Sequence, residues 1–404
     1  MAAASEPERW FLPGVRAIGA ASLLSDLGHE VPTALLPSFL ATTLDLGAAR
    51  AAAALGVIEG VADGAAGVAR FGGGPLADDP ARRRRTAVGG YATTAVFSSA
   101  IGLATATWQV GVLRSVAWAA RGARGPSRNA LLADIAPPSA YGKAYGFERA
   151  MDNLGAIGGP LLALALVALV GVRGAILVSF VPGALAAVAI VAAVRLAPRL
   201  AERERRPLRL RVRPVLRSPL GGLLAGIAAF ELANVAATLL ILRTTDLLAP
   251  GESYSRTAVL LYAGYNLAAT LVAVPAGHLA DRRGPTVVLV LGAAAFAAAF
   301  AGFALAGASV PLLALLFVLA GLGIGVGETA QSAAVAAFAP PGLRGSAFGL
   351  VAALQAFANL AASAVAGLLW RAVSPEAAFL YLAAWAGLAA VVFAGAATRG
   401  RGGG

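Results

Sequence analysis

The stretch Ala136-Pro-Pro-Ser-Ala-Tyr-Gly-Lys-Ala-Tyr-Gly146 returns as Ala339-Pro-Pro-Gly-Leu-Arg-Gly-Ser-Ala-Phe-Gly349, an offset of 203 residues. A second pair, Gly74-Pro-Leu-Ala-Asp78 and Gly277-His-Leu-Ala-Asp281, repeats at the same offset of 203. Two separate matches at one offset, close to half of 404 residues, mark a chain built twice from one unit. Duplication in parallel orientation is the sequence mark of many secondary transporters, whose substrate site lies between the halves near mid-membrane.

Around these anchors the chain is apolar. Hydrophobic residues make up 59% and charged residues 13%, with a mean hydropathy of +0.77, against about 25% charged in an ordinary soluble domain. Twenty acids and 32 bases cannot cover the surface of a soluble protein this large, so lipid is the solvent for most of the chain. Long apolar blocks run over 14–43, 51–76, 87–107, 109–133, 144–170, 174–195, 219–242, 255–279, 286–307, 310–338, 344–370 and 376–397. Spans of about 20 residues each would use roughly 240, leaving connectors and little for a separate soluble domain. The expected fold is an all-α membrane protein of twelve transmembrane helices in two six-helix bundles, 1–195 and 219–404, joined by the arginine-rich linker 196–218.

The net charge of +12 is placed in a way that argues against nucleic acid. Arg199, Arg203, Arg205, Arg206, Arg209, Arg211, Arg213 and Arg217 crowd the linker, which the positive-inside rule holds in the cytoplasm. The same rule puts Arg82 to Arg85, Lys143, Arg282, Arg283, Arg344, Arg399 and Arg401 inside, leaving Arg50, Arg173, Arg256 and Arg371 opposite. Both termini are therefore expected in the cytoplasm, in a plasma (inner) membrane. There is no cysteine, which removes disulfides, thiolate metal sites and thiol catalysis. The first ten residues lack the basic segment of a signal peptide.

On these features the sequence resembles the major facilitator superfamily along its whole length. That family's loop after the second helix reads Gly-x-x-x-Asp-Arg-x-Gly-Arg-Arg. Gly277, Asp281, Arg282 and Gly284 match it in the second half, and Gly74, Asp78, Arg82 and Arg83 match more loosely in the first, where Asp79 and Ala81 depart. The resemblance implies a cytoplasmic gate in which Asp78 is partnered with Arg82 and Asp134. Gly155-Ala-Ile-Gly-Gly159-Pro160 looks like the Gly-x-x-x-Gly-Pro core of a motif associated with antiporters, although Ala163 and Leu164 stand where its next glycines would be. Arg114 resembles the family's buried arginine linked to proton transfer. A monomer is implied as well.

Charges inside spans cost about 2.5–3.5 kcal/mol each, so a set of them should face a cavity or one another. Asp26 and Glu30 share one face of the first span with His29 beside them, and Glu59, Asp63 and Arg70 share one face of the second. Arg114, Arg121 and Arg128 follow heptad spacing in the fourth span with Arg124 adjacent, and the fifth adds Glu148, Arg149 and Asp152. The second half is unequal: at the 203-residue offset Asp26 becomes Ala229, Asp63 becomes Asn266, Arg114 becomes Phe317, Arg121 becomes Ile324 and Asp152 becomes Gln355. It offers Glu231, Asn234, Asn266, Glu328, Gln331, Gln355 and Asn359, which read as secondary substrate contacts.

Two readings of the first-half set stand side by side. It can be a salt-bridge network that fixes helix packing, or a coupling and substrate site, because buried carboxylates exchange protons near neutral pH. Asp26 leads the second reading, with Glu30, His29, Glu59, Asp63, Arg114, Arg121 and Asp152. Gly155 and Gly159 likewise carry both antiporter control and plain close packing.

The function expected is secondary active transport, exporting a small organic molecule in exchange for protons, with no cofactor and no catalytic residue. A divalent-metal exporter is the alternative, since Asp26, His29, Glu30 and Asp63 offer imidazole and carboxylate ligands and the Asp-x-x-His spacing resembles ferroportin-like exporters. A third reading is uptake of an anionic metabolite by the arginines of the fourth span. A membrane enzyme or sensor is disfavoured, because the linker has no catalytic constellation and no output domain follows the last span.

Overall fold

The computed structural model describes residues 10–197, 211–235, 237–248 and 256–401. The linker arginines from Arg199 to Arg209 lie outside the described residues. Helices fill the chain in order: α1 (Pro13–Ser38), α2 (Gly47–Asp78), α3 (Pro80–Ala100), α4 (Thr107–Ile135), α5 (Tyr141–Val178), α6 (Phe180–Leu196), α7 (Val212–Leu216), α8 (Gly221–Ala233), α9 (Ala237–Leu248), α10 (Arg256–Arg283), α11 (Pro285–Leu305), α12 (Val310–Phe338), α13 (Arg344–Ala372) and α14 (Pro375–Arg401). Counting α8 with α9 as one interrupted span and leaving out the single turn of α7, these are the twelve helices expected.

Local sequence explains most boundaries. Proline opens α1, α3, α11 and α14, where its missing N–H would be unsatisfied in any case. Pro32 and Pro37 inside α1 remove ladder donors, and the helix passes into a π-turn over Phe39–Thr43. The fifth and sixth spans meet at Gly171, whose φ of 70° only glycine adopts without strain, so the chain turns sharply inside α5. The seventh block, expected as one run over 219–242, breaks after Ala233. There Asn234 turns its main-chain N–H onto Phe230 and Glu231 and its side chain onto Glu231, the local competition that makes asparagine a poor interior helix residue.

The chain divides into two compact units. The first is Met1–Ser139 and Met151–Val212 with Pro340–Ala353, the second Ala140–Ala150, Arg213–Ala339 and Leu354–Gly404. Within the first, α2 lies along α4, α3 touches α4 and α6, and α1 pairs with α6. Within the second, α10 lies along α12, α11 touches α12 and α14, and α8 pairs with α14. The 203-residue repeat is thus a repeat of helix pairings.

Six stretches among the described residues are long and apolar enough to cross a membrane by length and composition, beginning with Pro138–Leu196. α1 to α4 are not among them; α1, α2 and α4 hold most of the intramembrane charge. Outward-facing Val68, Leu169, Leu271, Leu305 and Phe357 are exposed, as an apolar surface in lipid should be.

Candidate functional site

In the first unit small residues bring the charged helices together. A Cβ at Gly122 of α4 would run into the main chain of Ala66 on α2, so these two helices touch backbone to backbone. Gly155 and Gly159 of α5 do the same against α1. A Cβ at Gly155 would lie 2.7 Å from Cβ of Asp26, and one at Gly159 would strike Cβ of Glu30. The antiporter-like glycines therefore back directly onto two of the carboxylates singled out in the sequence. Pro160 follows inside α5 and withholds the N–H that Ala156 would otherwise receive.

Asp26 is 3% exposed. Its Oδ1 lies 3.4 Å from His29 Nδ1 and its Oδ2 3.6 Å from Arg121 Nη2. His29 Nδ1 is also 2.9 Å from the Ser25 carbonyl, and Nε2 is 3.2 Å from Glu30 Oε1. The Ser25 carbonyl only accepts, so Nδ1 carries the proton of that bond, while Nε2 is buried close to Glu30 without a hydrogen bond.

Arg114, 1% exposed, forms the second centre. Its Nη2 lies 2.9 Å from Glu59 Oε1, its Nη1 donates to Thr33 Oγ1 at 3.0 Å, and its guanidinium covers the Trp118 ring at 3.4 Å. Trp118 Nε1 donates to Asp63 Oδ1 at 3.1 Å, and the same ring meets His29 edge-on at 5.5 Å and Arg121 at 5.8 Å. Arg124 donates to Ser25 Oγ at 2.7 Å and covers Tyr91 at 3.7 Å. Arg128 reaches Ser22 Oγ at 3.1 Å and Asp152 Oδ1 at 3.3 Å.

The eight residues named from the sequence thus lie in one unit. Seven of them, Asp26, His29, Glu30, Arg121, Arg114, Glu59 and Asp63, connect through Trp118. Asp152 stands a step away, on Arg128. Trp118 was missed, although its position four after Arg114 and three before Arg121 places it on their stripe. Arg70 joins no hydrogen bond or ion pair among the described residues, and Asp63 is exposed at the open edge of the group. Arg149 leaves the set, pairing with Glu328 at 3.4 Å in the second unit. Among the described residues no three His, Cys, Asp or Glu side chains are arranged to hold a metal ion.

The repeated loops form two related clasps. Asp78 accepts from the Ser346 main-chain N–H at 2.9 Å and from its hydroxyl, in the first unit. Asp281 accepts from the N–H groups of Gly142 at 2.6 Å and Lys143 at 3.0 Å, in the second. Gly277 and Gly142 face each other so closely that a Cβ on either would strike the other's carbonyl. The expected partnership of Asp78 with Arg82 and Asp134 is corrected here. Asp79 caps α3 through the N–H groups of Ala81 and Arg82, and Arg82 folds back on it at 3.8 Å. Arg83, one position further round the helix, takes the ion pair with Asp134 and donates to the Ala77 carbonyl at 2.6 Å. Arg282, matched to the motif in the second half, is exposed and holds no ion pair among the described residues. Gly74 approaches Gly349 in the same tight manner.

In the second unit Glu231 is 1% exposed and wholly bound by amides. Its Oε1 accepts from Gln331 Nε2 at 2.9 Å and Gln355 Nε2 at 3.3 Å, and its Oε2 from Asn234 Nδ2 at 3.0 Å. Gln355 also donates to Gln331 Oε1 at 2.9 Å. The core beside it is aromatic: Phe230 stacks on Phe296, and Phe303 packs against Phe317 and Phe379.

Comparison with known proteins agrees with this architecture. The chain matches the Major Facilitator Superfamily over residues 18–247 and 251–402. An uncharacterised MFS-type transporter of Methanocaldococcus jannaschii is 27% identical over 381 residues, covering 93% of each chain. Among solved structures, the human organic anion transporter TETRAN superposes with a TM-score of 0.74 at 18% identity over 96% of this chain and 100% of that one. A bacterial homologue of the iron transporter ferroportin, in its outward-facing state, gives a TM-score of 0.74 at 17% identity with the same coverage. At such identities the likeness is one of fold. With a repeated set of four helix pairings, a duplicated loop clasp and a family match over nearly its whole length, the chain is a multi-pass membrane protein that belongs to the major facilitator superfamily of transporters.

Proposed function

We propose that the protein is a proton-coupled secondary transporter that exports a small organic molecule by alternating access. Asp26 is the exchanging carboxylate. The observation that carries this reading is the placement of Asp26, buried between His29 and Arg121 at 3.4 and 3.6 Å and backed by Gly155. A carboxylate set between a guanidinium and an imidazole can give up its charge to a proton, which frees Arg121 and His29 to change partners. Their alternatives are at hand, since His29 already approaches Glu30 and Arg121 already lies near Trp118. Facing outward, Asp26 takes up a proton and releases substrate; facing inward, it loses the proton and binds the next molecule.

The test is growth of an efflux-deficient host expressing the wild type or Asp26→Asn, challenged in parallel with organic compounds and transition-metal salts. Protection against organic compounds that disappears in the variant, at equal membrane abundance, is the expected result. Full protection by the variant would remove Asp26 from the mechanism. Protection confined to metal salts would replace the organic substrate with a cation bound at Asp26, His29 and Glu30.

A further inference from the structure

Glu231 differs from the other carboxylates described above in being held by side-chain amides alone. Each of its three hydrogen bonds comes from a neutral amide, on the break between α8 and α9, on α12 and on α13. The helices around it supply little else that is charged. α12 contributes Glu328, which Arg149 of α5 already engages, and α10 contributes Tyr262 and Tyr265, stacked at 5.6 Å. α11 carries no titratable residue, α13 carries none between Arg344 and Arg371, and α14 none between Tyr381 and Arg399. The only other ionisable groups on α10 are Arg256 at one end and His278, Asp281, Arg282 and Arg283 at the other.

A dehydrated carboxylate in such surroundings calls for a positive charge. A metal ion would have to displace amide N–H groups that already point at both oxygens. A proton needs only the free lone pair of Oε2, which has one hydrogen bond where Oε1 has two. That single bond comes from Asn234, whose main-chain N–H also closes the end of α8 on Phe230 and Glu231. A hydrogen bond to an ionised acceptor is roughly twice as strong as one to a neutral acceptor, so loading Oε2 loosens Asn234 while Gln331 and Gln355 keep hold of Oε1.

We propose that Glu231 is a proton-binding site of the second half, separate from Asp26, and that the interruption of the seventh span at Asn234 is the joint that responds to its occupancy. This rests on the proton-coupled reading of the transporter and adds a second titrating group to it.

The experiment is infrared difference spectroscopy of the purified full chain in lipid vesicles, stepped between acid and alkaline pH. A carboxylic acid carbonyl band should appear on acidification, vanish in Glu231→Gln and persist in Asp26→Asn. In Asn234→Ala, which leaves residue 231 intact, its midpoint should move up by about one pH unit, tenfold in proton affinity, the worth of one hydrogen bond to a charged group. A band untouched by Glu231→Gln, or a midpoint unmoved in Asn234→Ala, would overturn the proposal. So would sodium-dependent thermal stabilisation that Glu231→Gln abolishes, which would make the ligand an alkali-metal ion. The readout does not use transport, so failure of the Asp26 reading leaves this result standing.

Discussion

Arg114 and Phe317 occupy equivalent places 203 residues apart, both fully buried, one in α4 and the other in α12. Arg114 sits on Trp118 with Glu59 and Thr33 as partners; Phe317 sits in a run of phenylalanines. The helices around them nonetheless pair in the same pattern, α2 with α4 and α10 with α12. The pairing is therefore set by small residues and repeated loops, while the chemistry of the interior is free to diverge. In this chain one interior is a network of paired charges, and the other is an aromatic core that surrounds a single amide-bound carboxylate.

Exchanging the two residues is the hardest test of that division. Phe317→Arg would place a guanidinium where no carboxylate waits, at a cost of more than about 5 kcal/mol, and no folded protein should reach the membrane. Arg114→Leu strands Glu59 at the cost of a broken buried pair, about 3 kcal/mol after allowing for the partial exposure of that carboxylate. Adding Glu59→Leu should recover at least half of it in a thermal unfolding assay. A double variant no better than the single one would mean that the pair does not hold the first half together.

A smaller effect separates the contact glycines from the others. Gly159→Val pushes against Glu30 and should cost about 1–3 kcal/mol, with transport reduced further than stability accounts for. Gly64→Ala, where nothing lies within 4 Å, should stay within about 0.5 kcal/mol of the wild type. Equal behaviour of the two in melting temperature would deny that α5 is seated on α1 by its glycines.

The smallest difference lies between the two clasps. Ser346→Ala removes a hydroxyl donor from Asp78 and should cost about 1 kcal/mol. Lys143→Ala, at the corresponding place, leaves the main-chain N–H on Asp281 and should be close to neutral. If the lysine change melts the protein earlier than the serine change, its ammonium rather than its main-chain N–H holds the second clasp.

Much of this was legible in the chain. The repeat was visible because two motifs kept their spacing, and the charged helices were visible because charge inside an apolar block is expensive. Trp118 was hidden because tryptophan counts as apolar in any hydropathy reading, and only geometry shows its ring beneath a guanidinium. Arg82 gave way to Arg83 through a matter of one residue: Asp79, a departure from the motif, became the cap of α3 and drew Arg82 back onto itself. Glu231 read as a minor contact because Gln331 and Gln355 are 100 and 124 residues away, while Asn234 breaks a span that hydropathy alone draws as continuous.

Among the described residues no cation stands beside Glu231, and this carries an electrical consequence. In the first unit, intramembrane Asp26, Glu30, Glu59, Asp63 and Asp152 are matched by five arginines, Arg70, Arg114, Arg121, Arg124 and Arg128. With Asp26 ionised and His29 neutral, that set carries no net charge. Glu231 has no such companion, so the carrier with that site loaded and the carrier with it empty differ by one elementary charge. A potential of 100 mV acts on that difference with up to about 2.3 kcal/mol. The step that moves the empty site within the membrane field is then one on which voltage acts directly.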